Sequence, residues 1–250
     1  MMTAKEIIGY MESLQNEKQR NELMRFFKTG PGEYGEGDEF LGLKVPQTRE
    51  VVKLAVRDTP LDEIPQLLTS RWHEVRLCGL LMLVEKFSKL ATKRLAQDES
   101  AISERDAIVE LYLNHAEWAN NWDLVDLSAP KILGTWLLLP TRLGDKREIL
   151  DQLAYSSCLW KQRMSMVCTW KTTQQGDPSW GLHYAEVHLH HPHDLMHKAV
   201  GWMLREVGKR CSMELLQQFL ERHAHEMPRT ALRYAIEKMS PEERRYWMTL

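Results

Sequence analysis

Apolar residues recur along this chain at intervals of three and four, which is the spacing of one face of an α-helix. The first example is the set Ile7, Ile8, Met11 and Leu14. Similar patterns continue almost to the C terminus, separated by short polar stretches. No stretch alternates apolar and polar residues over the length of a strand. The pattern therefore predicts an all-α protein.

Glycines, prolines and capping residues indicate where the helices begin and end. Residues 3–28 predict two helices separated near Asn16, and residues 29–40, with four glycines and a proline, predict a loop. Pro46 fits the first turn of a helix that continues to residue 57. Pro130 should break the run that follows Trp122. Further helices are predicted at 61–69, from 71 onwards, twice within 92–118, and at 145–155, 159–170, 180–190, 194–209, 213–224 and 228–238. A loop is predicted at 171–180, and the tail at 240–250 is either a short helix or a frayed end.

A basic residue followed by small and apolar residues begins four of the predicted helices. These cations are Arg76, Arg163, Lys198 and Arg229. With one further helix between the first two, the intervals are about 46, 41, 35 and 31 residues, near the two-helix period of HEAT-like repeats. Such repeats stack into a curved solenoid, so we expect one domain over residues 1–250 with a concave basic groove. A row of cations suits a nucleic-acid backbone, and it equally suits a hydrated surface.

The composition is that of a globular protein, with 43% apolar and 27% charged residues. The formal net charge of -2 argues against a generic nucleic-acid coat protein, although it does not exclude a local basic face. No apolar run has the length of a transmembrane helix, and the first residues lack the apolar segment of a signal peptide. The four cysteines, Cys78, Cys158, Cys168 and Cys211, are widely spaced. We therefore expect a cytoplasmic protein with reduced core thiols and no membrane segment.

Residues 120–126, Asn-Asn-Trp-Asp-Leu-Val-Asp, place one indole and two carboxylates at the start of a helix. Trp122 and Asp126 are four residues apart and therefore share one face. An aromatic ring beside an acid suits a site that stabilises a cation. The alternative is ordinary helix chemistry, with a buried indole and a solvated acid one turn later. The two asparagines are candidate helix caps, and Asp123 is read as an acid that faces the helix dipole.

Six histidines between residues 183 and 197 form a second candidate site. Pro192 interrupts them, and neither a His-Glu-x-x-His motif nor a cysteine at zinc spacing accompanies them. We therefore predict a polar corner between helices and no metal site. A metal-dependent hydrolase is the weaker alternative.

Four segments of the chain carry a resemblance to a known family. They are LGLKVPQTR at 41–49, NWDLVD at 121–126, LWKQR at 159–163 and KAVGWMLRE at 198–206. In this order and at these approximate intervals they resemble the DNA alkylation repair glycosylases built from HEAT-like repeats, over about residues 20–240. The resemblance implies a monofunctional glycosylase that hydrolyses the N-glycosidic bond of N3- or N7-alkylated purines. It also implies an abasic product and no metal or organic cofactor.

The same resemblance implies roles for individual residues. Trp122 and Trp202 correspond to aromatic walls, Asp126 to the catalytic carboxylate, and Arg163 to a backbone contact close to the lesion. Asn121 departs from the pattern, because some family members have a second tryptophan there. This departure puts any additional stacking surface at that position in doubt.

The chemistry of an alkylated purine agrees with these roles. The positively charged base is already a good leaving group, so the enzyme need not protonate it. It must instead stabilise the oxocarbenium-like sugar and admit a water, and one ionised carboxylate can serve both purposes. Indoles near the lesion can add cation–π attraction of roughly 0.5–2 kcal/mol each.

We therefore expect a monomeric DNA glycosylase that acts on double-stranded DNA containing alkylated purines. The expected DNA contacts are made by Arg163, Lys198, Arg76, Arg229 and Arg233. The alternative is a non-catalytic HEAT-type scaffold that binds nucleic acid or protein through the same groove. A carboxylate between two indoles favours the enzyme, because a scaffold has no need of one.

Overall fold

The computed structural model describes residues 2–250, and within them all regular secondary structure is helical. Sixteen α-helices are present in this range, and the predicted all-α fold is confirmed. The described residues contain no helix that is long and apolar enough to cross a membrane. The chain divides into two compact units. Unit 1 runs to Ser128 and includes Leu139–Leu143, and unit 2 comprises Ala129–Leu138 and Gly144–Leu250.

Unit 1 is built around α5 (His73–Leu90), which packs against α3 (Val45–Ala55), α4 (Ile64–Leu68), α6 (Glu99–Asn114) and α7 (Trp122–Ser128). Every residue from 73 to 84 is buried, so α5 has no solvent face over its first three turns. Gly79 permits the close approach of α4, because a Cβ at this position would lie 3.0 Å from side-chain atoms of Leu67 and Leu68. The helices of unit 1 are α1 (Ala4–Ser13), α2 (Glu17–Phe26), α3 (Val45–Ala55), α4 (Ile64–Leu68), α5 (His73–Leu90), α6 (Glu99–Asn114) and α7 (Trp122–Ser128).

The first two helices are separated at Asn16, as the sequence predicts. The side chain of Asn16 accepts a hydrogen bond from Gln19 N at 3.0 Å and so caps α2. Its backbone N–H donates to the carbonyl of Leu41, which holds the corner between α1 and α2 against the segment that follows the glycine-rich loop. Gly42 has a φ of +87°, and a Cβ there would lie 2.1 Å from the Asn16 carbonyl oxygen. Only glycine fits this position.

Unit 2 is built around α13 (Asp194–Arg210). This helix packs against α10 (Leu159–Val167), α11 (Trp170–Gln174), α12 (Ser179–Val187), α14 (Met213–His223) and α15 (Arg229–Ala235). A Cβ at Gly201 would lie 2.3 Å from the carbonyl oxygen of Ala231, so glycine allows α15 to approach α13 closely. The helices of unit 2 are α8 (Leu133–Trp136), α9 (Lys146–Ala154), α10 (Leu159–Val167), α11 (Trp170–Gln174), α12 (Ser179–Val187), α13 (Asp194–Arg210), α14 (Met213–His223), α15 (Arg229–Ala235) and α16 (Pro241–Thr249).

Most predicted boundaries agree with these helices, and two predictions differ. Residues 92–118 contain one α-helix, α6, where the sequence predicts two. The predicted loop at 171–180 is wrong in its first half, because α11 occupies it; the β-branched Thr172 and Thr173 weaken the local helical signal, but both are buried. Of the two alternatives for the tail at 240–250, the structure shows the short helix, and Ser240 and Glu243 form a capping box at its start. The break at Pro130 is confirmed, since no helix spans it.

The cysteines form no disulfide in the described chain. Cys78 and Cys168 are core residues, and burial raises the pKa of the Cys78 thiol to about 12. Cys158 and Cys211 are only half-buried. The prediction of core thiols is therefore correct for two of the four.

Candidate functional site: an aromatic cavity beside Trp122 and Asp126

Trp122 and Asp126 lie on α7 and line the same cavity of about 500 Å³ within unit 1. Both side chains are half-buried. Asn121 precedes the helix and is fully buried. Its Oδ1 accepts a hydrogen bond from Trp122 N at 2.9 Å, and its carbonyl accepts one from Val125 N at 3.2 Å. Asn121 therefore stabilises the start of α7 and fixes the backbone position of Trp122.

The walls of the cavity are almost entirely apolar, and aromatic rings dominate the wall next to Trp122. The ring of Phe26 lies 5.9 Å from the indole at 68°, and that of Phe27 lies 5.5 Å away at 32°. Phe26 is 61% exposed, so one aromatic ring remains open to solvent beside the cavity. Such rings can hold a flat or cationic group. The remaining apolar lining residues are Leu23, Phe40, Leu43, Val45, Pro46, Leu77 and Leu127.

The polar end of the cavity is formed by His73, which is 2% exposed. Its Nδ1 lies 2.7 Å from a carboxylate oxygen of Asp38, and its Nε2 lies 3.0 Å from one of Asp123. Arg76 donates to the other oxygen of Asp38 and to two backbone carbonyls at the preceding turn. We call these four side chains the buried ion network. Sequence patterns did not single out His73 or Asp38 as site residues.

Two pKa shifts follow from this geometry. Burial by itself lowers the pKa of His73, but the charge of Asp123 and the hydrogen bonds to both carboxylates outweigh it and raise that pKa to about 9. Burial would raise the pKa of Asp38, yet the hydrogen bond and charge of His73, together with Arg76, leave it below its usual value. The imidazole is therefore protonated at neutral pH, and the Asp38 carboxylate is ionised.

The network corrects two predictions. Asp123 lies in the first turn of α7 as predicted, but it is 6% exposed and its partner is His73. Arg76 is 3% exposed and holds Asp38, which contradicts its predicted role in DNA binding. Moving its guanidinium to a phosphate would leave a buried carboxylate without its cation, which is costly.

Glu74 fixes the segment that forms one wall of the cavity. Its carboxylate accepts hydrogen bonds from the backbone N–H groups of Leu41, Gly42 and Leu43 at 2.9, 2.8 and 3.0 Å. These bonds explain why the LGLKVP segment is held against the buried start of α5. They also place the Leu43 side chain in the cavity lining.

The predicted site residues of unit 2 lie on α10 and α13. Arg163 is 5% exposed and donates to the carbonyl of Leu195 at 2.6 Å, which joins α10 to the start of α13. Lys198 forms an ion pair of 2.7 Å with Asp194, and its side chain is 40% exposed. Trp202 is half-buried one turn further along α13. Their roles toward DNA stay predictions.

Arg229 and Arg233 are exposed and lie one turn apart on α15. Arg229 donates to the carbonyl of Met248 in α16. Arg233 lines a surface depression together with Arg244 and Arg245. This end of unit 2 therefore presents a cluster of cations, and their contact with DNA stays a prediction.

Four of the histidines between 183 and 197, namely His188, His191, His193 and His197, make local hydrogen bonds. His188 is buried, and its Nε2 lies 2.9 Å from the hydroxyl of Ser165. His191 Nε2 lies 2.8 Å from the side-chain carbonyl of Gln162, and the ring of His193 accepts from the backbone at the start of α13. The described residues contain no group of three or more metal-ligating side chains. The cluster is a polar corner that ties α10 and α12 to α13.

The fold and the cavity define a helical protein with an aromatic site beside a carboxylate, an arrangement suited to a flat cationic group. The family model described as DNA alkylation repair enzyme matches residues 7–239. The chain therefore belongs to the DNA alkylation repair enzyme family, and the resemblance read from its sequence is confirmed. Membership supports a role in DNA repair, with DNA as a partner.

A solved structure shares the fold. It is described as "Predicted DNA alkylation repair enzyme from Enterococcus faecalis", with a TM-score of 0.64 and 13% sequence identity. The similarity covers 91% of this chain and 97% of that one. At this level of identity the likeness extends to the fold alone. No curated protein sequence gives a significant match to the chain.

Proposed function

We propose that this protein is a monofunctional DNA glycosylase that releases N3- or N7-alkylated purines from double-stranded DNA and leaves an abasic site. The observation that carries the proposal is that Trp122 and Asp126 line one aromatic cavity. A cationic base and an oxocarbenium-like sugar both require a negative charge and polarisable rings close by. The cavity supplies both from residues of a single helix and the aromatic cluster next to it.

In this proposal the reaction begins with the positive charge of the alkylated base. Asp126 stabilises the charge that develops on the deoxyribose as the N-glycosidic bond lengthens, and it orients or deprotonates the attacking water. The bond electrons leave with the base, which becomes neutral, and the water oxygen forms the new bond to C1′. Trp122 and the exposed ring of Phe26 add attraction to the cation.

The remaining predicted site residues lie in unit 2. We assign Trp202 to stacking beside the lesion and Arg163 to a backbone contact near it. The half-buried Lys198 and the exposed Arg229 and Arg233 hold the flanking phosphates. The packing of α13 against α14 and α15 supports HEAT-like repeats, and a basic groove is part of the same proposal. The protein acts as a cytoplasmic monomer without a cofactor.

The proposal is tested by incubating the purified protein with methylated double-stranded DNA and measuring released 3-methyladenine and 7-methylguanine. Release together with abasic sites in the DNA is the expected result. Unmethylated DNA of the same sequence is the control. DNA binding without release would favour the alternative, a HEAT-type binding scaffold.

Arg233→Ala should weaken DNA binding severalfold and lower the slope of log affinity against log salt by about one, because each phosphate contact releases roughly one counterion. The effect should be the same for methylated and unmethylated DNA, since a backbone contact does not read the base. Fluorescence anisotropy at a series of salt concentrations measures both quantities.

The matched control for Arg233 is Lys53→Ala. Lys53 is an exposed cation on α3 that is paired with Glu50. Its removal should leave the salt slope unchanged. An unchanged slope in the Arg233 variant as well would remove Arg233 from the DNA interface.

A further inference from the structure

His73 is held from both sides by carboxylates that come from different parts of unit 1. Asp38 lies in the segment between α2 and α3, and Asp123 lies in the first turn of α7. Both ring nitrogens are within hydrogen-bond distance of an oxygen, at 2.7 and 3.0 Å. An ionised carboxylate can only accept hydrogen bonds, so a ring that satisfies two of them needs a proton on each nitrogen. With both carboxylates ionised, His73 is therefore an imidazolium that donates from each ring nitrogen.

The charges of the network balance when His73 is protonated. Two carboxylates face one imidazolium and one guanidinium, so the buried group carries no net charge. The neighbouring Glu74 is satisfied separately by three backbone N–H groups. Loss of the His73 proton would leave one uncompensated buried carboxylate, which is unfavourable. The ionisable groups that face His73 or share its cavity are Asp38, Glu74, Arg76, Asp123, Asp126 and Lys44.

The network reaches the candidate site through α7. This helix has only seven residues, and Asp123 stands directly between Trp122 and the turn that carries Asp126. One carboxylate oxygen of Asp123 is buried without a hydrogen-bond partner. The other oxygen bonds to His73, and this bond holds the carboxylate in place. The ring of His73 is also stacked on Phe40 at a centroid distance of 4.3 Å, which fixes the ring itself.

We propose that His73 is a positioning residue of the glycosylase site, which as an imidazolium fixes Asp123 and thereby the placement of Trp122 and Asp126 at the cavity. This inference rests on the proposed function. Nothing in the family resemblance assigns a role to His73. A seven-residue helix has little stability of its own, so one ionic anchor in its first turn decides how its side chains are placed.

Because His73 positions the site as an imidazolium, loss of its proton makes the site sensitive to alkaline pH. The pKa of His73 is raised to about 9 from its usual 6.5, because the two carboxylates outweigh the effect of burial. The stabilisation is therefore complete below about pH 6.5 and is lost as the pH rises through about 9. The excision rate should fall as the pH rises through about 9, while DNA stays bound.

The test compares single-turnover excision by wild type, His73→Gln and Asp123→Asn on one alkylated duplex between pH 6.5 and 10. Glutamine can reach only one carboxylate, so the His73 variant should lose about 10- to 100-fold in rate at pH 7, with DNA affinity within about twofold. The excision rate of His73→Gln should also show no decline near pH 9. Asp123→Asn keeps an acceptor oxygen but not the charge, so its decline should move to lower pH.

The control variant is His188→Gln, which removes another buried histidine, in unit 2. It should lower thermal stability without changing the excision rate or its pH profile. Equal rates for wild type and His73→Gln, or an alkaline decline that persists in that variant, would overturn the inference. If the His73 variant does not fold, the shift in Asp123→Asn decides.

A second readout separates this inference from the proposed function. The protein is labelled with 5-fluorotryptophan, and the ¹⁹F signal of Trp122 is assigned with Trp122→Phe. That signal should shift as the pH passes about 9 in wild type, and not in His73→Gln. If wild type releases no base, the proposed function fails, and the signal still shows whether His73 positions Trp122. A signal that does not move through pH 9 overturns the inference even when excision is observed.

Discussion

Replacing Asp126 by asparagine should abolish most of the excision of alkylated purines while leaving DNA affinity within about twofold. Asparagine has the same shape but no charge, so it can neither stabilise the developing oxocarbenium-like sugar nor accept a proton from water. Removal of a group that stabilises charge or transfers a proton costs about 10²- to 10⁴-fold in rate. Single-turnover release of 7-methylguanine under excess enzyme measures the chemical step apart from binding.

Asp58→Asn serves as the control for Asp126→Asn, because it removes an exposed carboxylate outside the cavity. The control should retain the wild-type rate, and both variants should melt close to wild type. Excision at the wild-type rate in Asp126→Asn would show that Asp126 is not the catalytic group. A parallel loss of DNA binding would instead give it a role in holding the substrate.

The part of the site that could be predicted from sequence is the part that depends on local geometry. Trp122 and Asp126 share a face because they are four residues apart on a helix. The asparagine at the helix start and the break at Pro130 follow from equally local rules. One helix is enough to place this indole and this carboxylate, and the structure places both at one cavity.

The buried ion network could not be predicted in the same way. His73 is 35 residues from Asp38 and 50 from Asp123, so no window of helical length contains all three. Arg76 shows most clearly that a local sequence pattern does not reveal whether a side chain is buried. A cation near a helix start resembles an exposed phosphate contact, but the next turns of α5 are apolar on every face and bury it. The clue available in the sequence was the presence of three ionisable residues at the start of a helix whose next residues, 77–84, carry no charged or polar side chain apart from a cysteine thiol.

The aromatic wall was missed for a related reason. Phe26 and Phe27 fit the helical spacing of core residues, and spacing alone does not distinguish a core face from a cavity wall. Phe27 is buried, whereas Phe26 is mostly exposed. What separates them is the end of α2 at Phe26 and the course of the loop that follows, both of which depend on tertiary contacts.

Glu74→Gln should lower the free energy of unfolding by about 3 kcal/mol, since a buried carboxylate that accepts three backbone N–H bonds is replaced by an amide that turns its own donors toward some of them. The segment 41–43 should then loosen, because its three N–H groups lose a shared acceptor. Urea denaturation measures the stability, and hydrogen exchange of the amides of residues 41–43 measures the local effect.

Glu85→Gln is the matched control, because Glu85 lies on the same helix and is exposed. Its change in stability should stay within about 0.5 kcal/mol. Unchanged exchange at residues 41–43 in Glu74→Gln would show that the carboxylate does not hold the segment. If exchange does increase, alkylpurine excision should fall with it, since this segment carries Leu43 into the wall of the cavity and leads into Val45, which also lines it. Glu74 would then link the stability of α5 to the shape of the site through its bonds to the backbone of residues 41–43.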